Sequence, residues 1–214
     1  MDLSKNFVIT VSREVGSGGH TIAKKLADKL GVRFLDKQVM QQMMKQFGLT
    51  VYEIERIKAK KKNWFVELFD SVAPVSRGEA YLESTPSAGA RSFSADEIAA
   101  TEKELLTSLA SEEPCVVAGR AAFAILKDLP NTLNVFIRSS YESRVARVVR
   151  KQGVSEEQAK ILIDSIDEGR ENYVKRINGR SRYDVRNYDL ILNMDQLPSE
   201  EAAVEVILKY LGTR

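Results

Sequence analysis

Phe7-Val8-Ile9-Thr10-Val11-Ser12-Arg13-Glu14-Val15-Gly16-Ser17-Gly18-Gly19-His20-Thr21 decides the fold of this chain. Its apolar start reads as a buried β-strand, and Ile22, Ala23, Leu26, Ala27 and Leu30 beyond it recur at helical spacing. Between the two, three glycines in four positions let the backbone turn tightly with its N–H groups inward, while the next helix adds the positive end of its dipole. Such a turn cradles an anion. Laid on the P-loop pattern G-x-x-x-x-G-K-[ST], Gly19 and Thr21 match, Glu14 takes the first glycine position and His20 stands where the phosphate-binding lysine belongs. The expectation is a nucleoside triphosphate site built from Gly16, Ser17, Gly18, Gly19, His20 and Thr21, with an unusual cation. A Rossmann fingerprint is the rival, because Gly16-x-Gly18-x-x-Thr21 approximates it and Asp36 lies twenty residues beyond Gly16. Threonine in the third position, and the four residues 12–15 between the apolar run and Gly16, argue against it.

Working outward, short apolar runs at 7–11, 33–35, 115–118, 133–137 and 190–192 alternate with helical patterns, as in an open parallel sheet. Helices are expected over 21–30, 37–47, 51–69, 95–111, 121–127, 141–152, 155–177 and 199–211. Ser155-Glu156-Glu157 and Ser199-Glu200-Glu201 place a cap and acidic residues at two of the starts. The fold class is therefore α/β, a P-loop NTPase with an open five-stranded parallel sheet flanked by helices. Residues 37–94 insert between the second and third strands, and 76–94, rich in Ser, Gly and Ala, reads as a mobile loop. A second departure is 164–187, a polar flap carrying Arg170, Lys175, Arg176, Arg180, Arg182 and Arg186.

Composition narrows the classes. At 214 residues and 43% hydrophobic, the chain suits one compact unit, expected as a single domain over 1–214. A net charge of +2 from 32 basic and 30 acidic residues gives no general polyanion surface, so no nucleic-acid partner is expected and phosphate recognition must be local. The run Lys58-Ala59-Lys60-Lys61-Lys62 before Trp64, flanked by Glu53, Glu55 and Glu67, reads as the solvated face of an amphipathic helix. Cys115, the one cysteine, sits in an apolar run and reads as a core residue. No signal-peptide core or bilayer-length apolar run stands out, so no membrane association and a cytoplasmic location are the defaults.

Ligands of open α/β sheets bind at the carboxyl ends of the strands. Gly16 to Thr21, Asp36-Lys37 and Gly119-Arg120 all fall there. Phosphoryl transfer needs positioning and charge neutralisation, for which this set has parts: the Arg120 fork suits a phosphate or a pyrimidine edge, and Asp36 is either a ligand or the cap of the helix after it.

Val8-Ile9-Thr10-Val11-Ser12-Arg13-Glu14-Val15-Gly16-Ser17-Gly18-Gly19, Phe34-Leu35-Asp36-Lys37, Cys115-Val116-Val117-Ala118-Gly119-Arg120 and Asn187-Tyr188-Asp189-Leu190-Ile191-Leu192-Asn193 together resemble the cytidylate kinase-like family, relatives of the P-loop nucleoside monophosphate kinases. The resemblance runs in order through nearly the whole chain. It implies a P-loop kinase-like core holding ATP·Mg²⁺, a helical monophosphate-binding insert at 37–94 and an arginine-rich lid over 153–187. It further implies that Gly16 to Gly19 wrap the β-phosphate, that Thr21 offers its hydroxyl to Mg²⁺, and that Asp36 and Arg120 face the acceptor. Arg144, Arg147 and Arg170 fall where lid-flanking arginines contact phosphates. His20, Arg120 and Arg170 are then the catalytic candidates, with His20 needing its proton to serve as a cation. The implied activity is phosphoryl transfer from a nucleoside triphosphate to CMP, dCMP or a related small acceptor. A nucleotide-binding protein that has lost catalysis, and a small-molecule kinase with another acceptor, stay open, as does the oligomeric state.

Overall fold

The computed structural model describes residues 1–59 and 93–212. Strands β1 (Val8–Arg13), β2 (Arg33–Leu35), β3 (Cys115–Ala118), β4 (Thr132–Arg138) and β5 (Leu190–Asn193) form one parallel sheet in the order β2-β3-β1-β4-β5. The order places β1, which feeds the glycine loop, at the centre. Each expected strand is present, and β1 is longer than its apolar run. Ser12 and Arg13 pair with Phe136 and Ile137 of β4, so the ladder carries the strand to Arg13 and only Glu14 and Val15 precede Gly16.

The described helices are α1 (Gly19–Leu30), α2 (Lys37–Phe47), α3 (Val51–Ala59), α4 (Ala95–Glu112), α5 (Ala122–Ile125), α6 (Tyr141–Gln152), α7 (Glu156–Asn178) and α8 (Glu200–Gly212). Ser94 with Glu97, and Ser155 with Gln158, close reciprocal capping boxes that fix the starts of α4 and α7. Two helices, α1 and α5, differ from expectation by two residues at an end, and α4, α7 and α8 by no more than one. α1 begins two residues early, at Gly19, because the left-handed Gly18 (φ 87°) completes the turn immediately before it. α5 is a single turn rather than 121–127; its start at Ala122 follows from left-handed Arg120 (φ 55°) and Ala121 (φ 51°), which cannot belong to a right-handed helix. The expected continuation of α3 to residue 69, and the loop at 76–94 apart from Phe93 and Ser94, lie outside the described residues.

Both sheet faces are covered. On one, Ile22, Leu26 and Ala27 of α1 and Val204 and Ile207 of α8 pack on Ile9, Val11, Leu133 and Val135. On the other, Val39, Met43, Ile98, Leu106 and Phe123 pack on Val8, Leu35 and Val117. Each fully buried aliphatic or aromatic side chain here contributes about 1.5–3 kcal/mol relative to exposure. Cys115 belongs to the second cluster, and burial pushes its thiol up to about 12, which leaves it an inert core residue. Among the described residues no helix is long and apolar enough to cross a membrane.

The stretch expected as a polar flap has a packed side. Within it Tyr173 and Val174 reach the main core, and just ahead of it on α7 Ala159, Leu162 and Ile163 meet Val145 and Val148 of α6. Arg182, beyond the helix, is buried. Apolar residues spaced three and four apart hold α7 against neighbouring helices, and Arg170 from α7 and Arg182 from beyond it reach the end of β1.

Candidate active site

The glycine loop is fixed from three sides. Gly16 (φ 81°) and Gly18 (φ 87°) take the left-handed backbone that glycine alone adopts freely, and no side chain caps α1. Ser17 Oγ donates to the Glu14 carbonyl at 2.9 Å. Glu14, in the pattern's first-glycine place by sequence, accepts from the Ser139 amide at 3.0 Å and ties the loop to the end of β4. The Val15 amide donates to the Asp167 carboxylate of α7 at 3.2 and 3.3 Å. The N-terminal end of α1 carries no side-chain cap, and its amides and dipole favour an anion. A Cβ at Gly16 would lie 2.6 Å from the Arg144 carbonyl oxygen in a left-handed backbone. Gly16→Ala is therefore expected to destabilise the protein by about 1–3 kcal/mol. An unchanged urea midpoint would contradict this loop geometry.

Beside the loop, Gly16 and Ser17 line a cleft of about 470 Å³ that runs between Arg147 and Arg150 of α6 and Leu197 and Pro198 ahead of α8. Arg147 lies over Gly18 and is ion-paired with Glu200 at the start of α8. Arg144 is buried, with Nη1 donating to Asp167 at 2.7 Å and to the Val15 carbonyl at 3.3 Å. The two arginines thus border the loop, and neither lies on a free helix face.

Across from the loop, Asp36 stands at the N-cap of α2 but makes no capping bond. Its Oδ1 lies 3.4 Å from Nη2 of Arg120, and Oδ2 lies 3.6 Å from Nδ1 of His20. The same Arg120 nitrogen donates to the Asp36 carbonyl at 3.0 Å. His20, half exposed on the second residue of α1, also meets the Phe34 ring edge-on at 5.5 Å. The predicted residues His20, Asp36 and Arg120 are therefore brought together, and Thr21 sits half-buried one residue along α1.

Behind Arg120 lies a buried network. Glu102 of α4 has no exposure and accepts from Arg120 Nη1 at 3.0 Å, from Lys58 Nζ at 2.9 Å, and from the Tyr173 hydroxyl. Burial alone would raise its pKa, but the Lys58 and Arg120 charges, with the Tyr173 and Lys58 hydrogen bonds, hold it below the ordinary glutamate value. Lys58 is 7% exposed, which corrects the reading of its run as a solvated face. The rest of that run and Trp64 lie outside the described residues.

Arginines also converge on the end of β1. Arg170 Nη1 donates to the Arg13 carbonyl at 3.3 Å and faces Asp167 at 3.4 Å; Arg182 bonds the same carbonyl and Asp167 at 3.1 Å. The Arg13 side chain passes over Gly19 and ends against Gly119. Desolvation, then the charge of Arg170, pull its pKa down to about 9, with Arg182 and Arg120 adding to the effect and Asp36 opposing it.

Arg13, Lys58, Glu102, Asp167, Tyr173 and Arg182 received no role from the sequence. For two of them a signal was present. Glu102 follows Ile98 and precedes Leu106 and Leu109 on one helical stripe, and Asp167 follows Ile163 on another, so each is an acid on an apolar face.

The sequence model of the cytidylate kinase-like family matches residues 8–196. A cytidylate kinase of Ignicoccus hospitalis is 24% identical over 206 residues, covering 95% of this chain and 98% of the relative. One from Archaeoglobus fulgidus is 28% identical over 211 residues, covering 94% and 92%. Among solved structures, an uncharacterized protein from Eubacterium ventriosum superposes with a TM-score of 0.65 at 25% identity, covering 97% of this chain and 99% of that one. Shikimate kinase from Bacteroides thetaiotaomicron, at 19% identity and a TM-score of 0.51 over 96% and 98% of the chains, shares the fold.

Proposed function

This chain belongs to the cytidylate kinase-like family, and from that premise we propose that it is a nucleoside monophosphate kinase-type phosphotransferase using ATP·Mg²⁺ and CMP or dCMP. The observation that carries the reading is the convergence of Asp36 and Arg120 opposite the open N-terminus of α1. A donor phosphate at the helix end and an acceptor phosphate at the arginine lie on the two sides of one gap. An acceptor phosphate oxygen attacks the γ-phosphorus in line; the new P–O bond forms as the bond to the β-phosphate oxygen breaks, giving ADP and a nucleoside diphosphate.

The residues present fit the nucleotide. The loop lined by Gly16, Ser17, Gly18 and Gly19 takes the β-phosphate, and the adjoining cleft between Arg147 and Pro198 accommodates the nucleoside. Arg144 and Arg147 border the phosphates, Arg170 follows the transferring group from α7, and Asp36 and Arg120 hold the acceptor. Among the described residues no cluster of three metal-ligating side chains occurs, and none is needed for Mg²⁺, which keeps several waters and is carried chiefly by nucleotide phosphates. Thr21 would add a hydroxyl ligand, and the ion would supply neutralisation of the β- and γ-oxygens. In this reading 1–214 works as one kinase-like domain, with 37–94 as the acceptor insert and 153–187 as the lid.

The test is ADP formation from ATP·Mg²⁺ with CMP, dCMP, UMP and AMP, beside a blank without acceptor. Turnover with CMP or dCMP that drops about a hundredfold or more in Arg120→Ala is the expected result. Turnover confined to AMP or UMP, or none with any of the four, overturns the cytidine assignment.

A further inference from the structure

We propose that Arg13 supplies the phosphate-binding cation of this P-loop, its side chain entering the site through the space that Gly19 leaves open. The inference rests on the phosphotransferase reading only for its triphosphate donor. It begins from the register of the loop. The P-loop motif runs from a strand through its glycines to a helix, with the lysine directly after the last glycine. Here the left-handed glycines are Gly16 and Gly18, and α1 begins at Gly19. The structure therefore puts Gly18 at the last glycine position and Gly19 at the lysine position. Counting back, the motif's first glycine falls six residues before Gly19, on Arg13. Relative to the motif, glycine and cation have changed places.

Packing gives the exchange a physical cause. A Cβ built on Gly19 would overlap the Cβ of Arg13, and one on Gly119 would fall on its guanidinium. One side chain fits between the start of α1 and the end of β3, and it comes from β1. Gly19 is in helical conformation, so room for Arg13, and no demand of the backbone, accounts for a glycine there. Among the described residues the Arg13 guanidinium makes no hydrogen bond or ion pair, although Asp36 lies nearby and engages Arg120 instead. Arg170 and Arg182 bond its carbonyl and crowd it with like charge. An anion relieves that crowding, and Gly119, against which the guanidinium ends, directly precedes Arg120, the partner of Asp36. His20, which the linear pattern put in the lysine position, faces Asp36 and Phe34.

Calorimetric ATP·Mg²⁺ affinity separates the two cations. The chains are the parent, Arg13→Met, His20→Gln, and the exchange variant carrying Arg13→Gly with Gly19→Lys, each checked for an unshifted thermal midpoint without nucleotide. Arg13→Met is expected to bind about tenfold or more weakly, the loss of one charge-assisted contact. The exchange variant should regain most of that loss, and parent affinity should not follow a histidine titration between about pH 6 and 8. Arg13→Met binding as the parent does, a loss in His20→Gln as large as in Arg13→Met, or a folded exchange variant no better than Arg13→Met overturns the proposal. A parent that binds ATP through Arg13 yet transfers to no monophosphate defeats the acceptor reading alone.

Discussion

Glu102→Ala is expected to destabilise the protein by about 3–5 kcal/mol, a large share of the roughly 5–15 kcal/mol that holds a domain folded. The carboxylate is fully buried and is shared by Lys58, Arg120 and Tyr173. Its removal takes the fully buried anion away from Lys58 and leaves Arg120 with Asp36, and that lost compensation in a poorly solvating medium outweighs the packing lost with the side chain. Urea unfolding of the parent, Glu102→Ala and Glu102→Gln measures it. A charge-neutral companion, Lys58→Met with Glu102→Leu, should recover part of the loss, because it removes Lys58 together with the carboxylate while Arg120 keeps Asp36. A loss below about 1 kcal/mol, within the ordinary range for exposed pairs, would mean that Glu102 is not the buried hub described here.

The pH dependence has a definite sign. Since the folded-state pKa of Glu102 is held below its ordinary value, its contribution is complete above the normal carboxylate range and is lost as pH falls through the lowered value. The stability gap between the parent and Glu102→Gln should therefore narrow with acid. A gap that widened on acidification would reverse the assigned charge state. Arg120 depends on the same carboxylate, so on the proposed acceptor reading CMP KM should rise in Glu102→Gln more than ATP KM does.

Asp167→Ala is the second large effect, and it falls beside the glycine loop. One carboxylate accepts from Arg144 at 2.7 Å, Arg182 at 3.1 Å and the Val15 amide at 3.2 Å, and faces Arg170 at 3.4 Å. Without it, three guanidiniums gather at the end of β1 with one anchor fewer, and the glycine loop loses its tie to α7. A loss of about 3–5 kcal/mol is expected on the same reasoning, together with ATP affinity weaker by about tenfold or more. Asp167→Asn keeps an acceptor for the Val15 amide and should fall between the parent and the alanine variant. Equal ATP affinity in parent and Asp167→Ala would show that the loop holds its shape without α7.

The local signals were strong enough to give the α/β class, the five strands and the phosphate loop. Alternating buried strands and helical stripes have only a few ways to cover both faces of a parallel sheet, and glycines at Gly16 and Gly18 are demanded by backbone conformation wherever the chain turns so sharply. Asp36 and Arg120 could also be placed near the loop from the sequence, because strand ends gather ligands in such sheets. Folding alone decided which charges meet. Glu102 and Lys58 lie forty-four residues apart, Asp167 and Val15 one hundred and fifty-two, and no local pattern couples them. The start of α1 belongs to the same class of fact. Linear matching gave the lysine place to His20, whereas the backbone begins the helix at Gly19 and the side chain of Arg13 fills that space. A motif fixes residue types along the chain; close packing between neighbouring strands and helices decides whose side chain occupies each volume.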